Sequence, residues 1–220
     1  MTTLANFGIS HHSTVAVLLL AICATTEAAT PPPSWPFSDR EWPATLMTKP
    51  STGMSLGAFR VEFEKTTLEE VRLAANSGTV AFQGHDGENI SYLCYTIFSP
   101  SRSERVWIIS DGEMGGSEQS ITSVAAQRQK NYEPTPDCPA LPKTLQPVSL
   151  DSKIWLGVTG SHLKKLGSPS HRVGAWSTYD FQGTTTGECE GGKFDVLNWL
   201  MIQLDNGIVN SLFAGQVTSC

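Results

Sequence analysis

Alternation of apolar and polar positions dominates the chain beyond residue 57. Residues 79–82, 92–98, 105–110 and 121–126 are rich in β-branched and aromatic side chains and are bounded by Gly, Pro, Ser or Asp, as β-strands are. A second series follows at 175–181, 198–204 and 208–213. Within it Leu200, Ile202 and Leu204 alternate with Trp199, Met201 and Gln203. Successive strand side chains point to opposite faces, so one sheet face should carry the aliphatic set and the other Trp199 and Met201. Asp205-Asn206-Gly207 separates the last two runs. Asn and Gly tolerate positive φ, which predicts a tight type I′ hairpin.

A helical pattern precedes each series. Thr66-Thr67-Leu68-Glu69 reads as a capping box: the Thr66 hydroxyl accepts from the Glu69 amide, and the Glu69 carboxylate reaches back. Leu68, Val71 and Ala75 then form one apolar stripe, and Gly78 suits the left-handed position that closes a helix. Further on, Thr159 is placed to cap a short helix through Leu163 and Leu166, stopped by Gly167 and Pro169. The repeated order predicts an α+β fold of two tandem repeats, over 56–131 and 151–220, each a short helical layer packed on an antiparallel sheet. The proline-rich residues 132–150 read as their linker. Residues 29–55 read as an extended lead-in, with Trp35, Phe37 and Trp42 available to pin it to the body. A single α+β domain without a repeat is the alternative.

The N-terminus reads as an address. The apolar run 14–24 is shorter than the roughly 20 residues a membrane span needs, and Thr26-Glu27-Ala28 offers a cleavage site, so residues 1–28 are expected to be a signal peptide. Pro31 to Pro33 then open an extended mature chain. Ile22, where a lipoprotein carries a small residue, precedes Cys23. Export leaves Cys94, Cys138, Cys189 and Cys220, which implies two disulfides. The pairing Cys94–Cys138 with Cys189–Cys220 keeps each bridge within one half of the chain. The expected location is secreted or periplasmic.

Charge and motifs narrow the function classes. With 15 Lys and Arg against 21 Asp and Glu, a net charge of −6 argues against nucleic acid as a partner. A hydrophobic fraction of 40% is too high for a disordered chain, and no stable membrane span is expected. There is no C-x-x-C pair and no zinc spacing around His85, His162 or His171. His85-Asp86-Gly87-Glu88-Asn89 reads most simply as a polar turn. Asp111-Gly112-Glu113-Met114-Gly115-Gly116 is a glycine-rich loop after an apolar strand, suited to a connection or to a binding loop. The aromatics Trp107, Trp176, Tyr179 and Trp199 fall in strands. An open face bearing Trp199 and Met201 would be a binding surface.

One stretch of the chain carries a resemblance. Leu156-Gly157-Val158-Thr159, Leu163, Leu166-Gly167-Ser168-Pro169, Trp176, Tyr179 and residues 200–204 followed by Asn206-Gly207 resemble the repeat of the β-lactamase inhibitor protein family. That repeat is itself similar to the small outer-membrane assembly lipoproteins. Leu163 stands where the family has Val, and the cysteine spacings here are longer. The resemblance implies a helix-loop-helix on a four-stranded antiparallel sheet, occurring twice, and carries fold more safely than function. The expectation is a secreted or periplasmic, inhibitor-like protein that binds another protein and uses no cofactor, metal or catalytic residue. Its contact residues would be Trp199, Met201, Asp111, Glu113, Met114, Trp176 and Tyr179. Two alternatives stand beside it: a cell-envelope assembly factor, and an exported hydrolase using Asp111, Glu113 or His85.

Overall fold

A computed structural model describes residues 29–34, 46–85, 88–98, 102–111, 116–130, 132–186 and 192–219. The signal-peptide reading of 1–28 therefore lies outside the described residues, as do Trp35, Phe37, Trp42, Asp86, Glu113, Met114, Cys189 and Cys220. In chain order the elements are β1 (Gly53–Leu56), β2 (Phe59–Glu62), α1 (Leu68–Ala75), β3 (Ala81–His85), β4 (Glu88–Ile97), β5 (Ser103–Asp111) and β6 (Ser123–Gln129). They continue with β7 (Val148–Leu150), β8 (His171–Val173), β9 (Trp176–Thr186), β10 (Lys193–Asp205) and β11 (Ile208–Ser219). Short 3-10 turns occupy Lys143–Leu145 and Gly160–Leu166.

The strands form two antiparallel sheets. The smaller runs β2-β1-β7 and the larger runs β3-β4-β5-β6-β11-β10-β9-β8. This corrects the expected α+β fold of two tandem helix-on-sheet repeats: among the described residues the fold is mostly β, with 51% strand against 11% helix. The join between the halves is a strand pairing. β6 bonds β11 from Ser123↔Gly215 to Gln127↔Ser211, so one continuous sheet runs through both. The expected second helix is a 3-10 turn whose N-cap Thr159 makes no side-chain cap to the backbone. Thr159 instead bridges Ile208, and the Gly160 amide donates to the Gly207 carbonyl at 2.8 Å. The segment follows the hairpin rather than starting an α-helix.

The first helix forms one residue later than its cap motif suggests. Two overlapping Thr-x-x-Glu pairs compete, and Thr67 with Glu70 is the one used. The choice is made by neighbours: the Leu68 amide donates to Gln119 O, Ile121 N donates to Thr66 O, and the Thr66 hydroxyl accepts from the Glu62 amide. Leu68, Val71 and Ala75 face inward. Asn76 closes the helix in the left-handed region at φ 48°. Gly78, at φ 91°, lies under the Tyr95 hydroxyl, 2.8 Å from where a Cβ would stand.

The hairpin between β10 and β11 has the anticipated geometry, with Asn206 at φ 50° and Gly207 at φ 76°. A register shift between Gln203 and Leu204 takes Leu204 out of line with Leu200 and Ile202, and it is 37% exposed. The main core lies on one face of the large sheet. There Leu93, Ile108, Val124, Leu200, Ile202 and Leu212 pack in one cluster with Leu68 and Val71 of α1 and with Met54, Val61 and Leu150 of the small sheet. Removing these side chains from water is the principal stabilising term, about 1.5–3 kcal/mol for each fully buried one.

A cleft on the second face of the large sheet

The opposite face carries its own apolar rows. Cys94, Trp107, Ala125, Phe213, Met201 and Thr178 are paired across β4, β5, β6, β11, β10 and β9. The next row is Tyr92, Ile109, Ser123, Gly215, Trp199 and Asp180. The alternation thus places Trp199 and Met201 opposite the aliphatic set, as the sequence predicts. The face is not open at these positions, however: Trp199 is 8% exposed and Met201 1%. An apolar surface of this extent is normally covered or bound.

Part of the cover is an extended segment near the N-terminus. Ala29 packs against the second cluster, and Trp107 Nε1 donates to the Thr30 carbonyl at 3.1 Å. The Thr30 amide and hydroxyl both donate to Asp137. Burial opposes ionisation of Asp137, but bonds from Thr135 and Thr30 outweigh it and hold its carboxyl below the usual range. The rest of the anchor is covalent. A disulfide joins Cys94 to Cys138, and Cys138 is fully buried in the second cluster. Pro139 accepts from the Thr96 amide and Leu141 donates to the Thr96 carbonyl, each at 2.8 Å. The proline-rich segment therefore takes up the edge of β4 beyond the end of β3.

Between the N-terminal segment at residues 29–34 and the sheet lies a cleft of about 370 Å³. Its walls are Pro32, Pro33, Ser34, Gln83, Ile90, Ile109, Asp111, Thr122, Ser123, Trp199 and Phe213. The Trp199 and Phe213 rings are 5.9 Å apart and tilted by 51°, within the range of favourable aromatic pairs. Trp199 also lies over Gly215, where an added Cβ would fall 2.5 Å from its Cζ2. Glycine is needed there for that close approach. Gln83, Ile90 and Asp111 form a cross-strand row at one end. Asp111 is exposed, and its amide donates to Thr122 Oγ1 at 3.0 Å.

The structure brings some of the candidate contact residues together and separates others. Trp199 and Asp111 share the cleft. Met201 lies beneath it in the second cluster, and Trp176 is partly buried against that cluster. Tyr179 pairs with Leu200 and belongs to the main core on the other face. The Asp205–Gly207 turn lies at the far end of the sheet from the cleft. Asp205 and Asn206 there line a separate cavity of about 300 Å³ with Arg102, Arg128 and Lys130. Ser34, Ile90, Ile109 and Phe213 are not among the contact residues expected from the sequence, and Pro32 and Pro33 are named there only as the start of an extended chain. Phe213 could have been found, because it alternates with Leu212 and Ala214 on β11.

Asp180 is a further feature no motif announces. It is 2% exposed, beside Trp199 in the β9–β10 pairing, and its Oδ2 has no hydrogen-bond partner among the described residues. Burial pushes its carboxyl up to about 6. A carboxyl without a partner is cheaper to bury neutral than charged.

Among the described residues no group of three His, Cys, Asp or Glu is placed to hold a metal ion. Among them, too, no helix is long and apolar enough to cross a membrane. No protein-family model matches the chain, and neither a curated protein nor a solved structure gives a match.

Proposed function

We propose that this is an exported, non-catalytic protein that binds another protein through the second face of its large sheet, at the cleft beside Trp199. The observation that carries this reading is the cleft itself. An aromatic pair, two aliphatic side chains and one carboxylate converge in a concavity walled on one side by an extended segment. Concave, mainly apolar surfaces with a few polar groups are typical binding sites, and aromatic anchors dominate protein interfaces. The Cys94–Cys138 disulfide is compatible with an oxidising, extracytoplasmic location.

The test is site-specific photocrosslinking. A photoreactive residue replaces Ser34, exposed on the cleft wall, in the disulfide-intact mature chain. The same probe at Lys130, in the separate cavity, serves as control. In culture medium and envelope extract the reading expects one discrete protein adduct from position 34 and none from position 130. No adduct at 34, or the same adducts at both positions, would overturn it.

A further inference from the structure

The wall of the cleft is chemically informative. Residues 30–33 read Thr-Pro-Pro-Pro. Each pyrrolidine ring fixes φ near −65° and removes an N–H, which favours a polyproline II segment whose carbonyls remain free to accept. One of these carbonyls is taken up by the sheet face: Trp107 Nε1 donates to Thr30 O at 3.1 Å. Pro32 and Pro33 are half-buried and bound the cleft. An aromatic surface whose indole N–H meets the backbone of a rigid proline segment is a general way of binding proline-rich chains, because such a segment loses little entropy on docking. The protein therefore already holds one segment of this type on this face, and the cleft adjoins it.

The rim adds a charge preference. Asp111 is exposed at the cleft, and the whole chain carries a net charge of −6. Both favour a cationic partner over an anionic one.

We infer that the cleft takes an extended, proline-rich segment of a partner polypeptide bearing Lys or Arg, which lies alongside the protein's own residues 30–33 and sets an apolar ring against Trp199 and Phe213. This rests on the protein-binding reading above and names the partner chemistry of the same site.

The experiment is a fluorescence-anisotropy titration of the disulfide-intact mature chain. Its probes are three labelled peptides, built from repeats of Pro-Pro-Arg, Ala-Ala-Arg and Pro-Pro-Glu. The inference expects the Pro-Pro-Arg peptide to bind about tenfold or more tightly than either control. Gln83→Trp, which fills the cleft from an exposed edge-strand position, should weaken that binding by about tenfold with an unchanged unfolding midpoint. Asp111→Asn should weaken it severalfold. Equal binding of the proline and alanine peptides, or indifference to Gln83→Trp, would overturn the inference. Crosslinking at position 34 separates the two claims. A specific adduct without proline preference leaves the protein-binding reading standing and removes this one. Loss of the adduct removes the protein-binding reading on its own evidence.

Discussion

On one face of the large sheet, Leu200, Ile202 and Leu212 meet α1 and the three-stranded sheet. On the other, Trp199, Met201 and Phe213 share a smaller cluster with Cys138 and Ala29. The same alternating strands build both faces, yet their covers differ in kind. The first is closed by regular elements with their own hydrogen-bond ladders. The second is closed in part by a proline segment held through Thr30, Asp137 and the Trp107 indole, and by a loop held through a disulfide. Extended segments with few backbone bonds open at lower free energy than ladders do. The comparison teaches that the two faces of one sheet can both be buried under covers of different kinds.

The strongest way to break the comparison is to cut a large side chain from each face. Leu200→Ala, at a fully buried position, should cost about 2–5 kcal/mol in denaturant unfolding. Trp199→Ala should cost about 3–5 kcal/mol, since its ring packs on Phe213 and Gly215. A near-zero cost for Trp199→Ala would mean that the second face is not packed. The same burial makes Trp199→Ala a poor probe of binding, which is why exposed Gln83 and Ser34 are preferred for that purpose.

Replacing both Cys94 and Cys138 by Ser should lower stability by about 2–4 kcal/mol, because the bridge spans a sequence separation of 44. Equal unfolding midpoints for the oxidised protein and the double variant would contradict a structural bridge. Asp180→Asn should act in the opposite direction. Its folded-state pKa, about 6, lies above the ordinary aspartate value of 3.8, so the native state holds the proton more tightly than the unfolded one. The stabilising effect of that proton is fully present below about pH 4 and is lost as pH rises through about 6. At pH 7 the variant should be more stable than the parent by roughly 3 kcal/mol, and the gap should close below pH 4. A gap that is constant with pH would assign the effect to packing instead. The smallest effect is expected from Thr30→Val, about 1 kcal/mol, together with faster exchange of the Trp107 indole proton.

Much of the strand pattern was legible. The seven predicted runs all fall within or overlap β3, β4, β5, β6, β9, β10 and β11, and the Asn206-Gly207 turn has positive φ at both residues. Side-chain parity was legible as well, because a period of two assigns Trp199 and Leu200 to opposite faces whatever lies beyond them. What lies beyond them was not, since alternation carries no information about the covering layer. The pairing of β6 with β11 joins strands distant in the chain and leaves no local signal, so a continuous sheet was read as two repeats. Strands β1, β2 and β7 span only three or four residues, too short for periodicity to register. The helix cap slipped by one residue because Thr66 and Thr67 each have a Glu three positions on, and only the contacts of Gln119 and Ile121 decide between them. For the candidate site, Trp199 and Asp111 were visible as an aromatic on a strand and a carboxylate in a loop. Pro32, Pro33 and Gln83 join them only through the fold.

Native-state hydrogen exchange tests the central claim most directly. The account predicts that the Thr30 amide and the Trp107 indole exchange through a local opening, several kcal/mol below the free energy of global unfolding, while the amides of Leu200 and Val124 exchange only on global unfolding. Exchange of Thr30 and Trp107 at the same free energy as Leu200 and Val124 would contradict it, because the second face would then be sealed as firmly as the first.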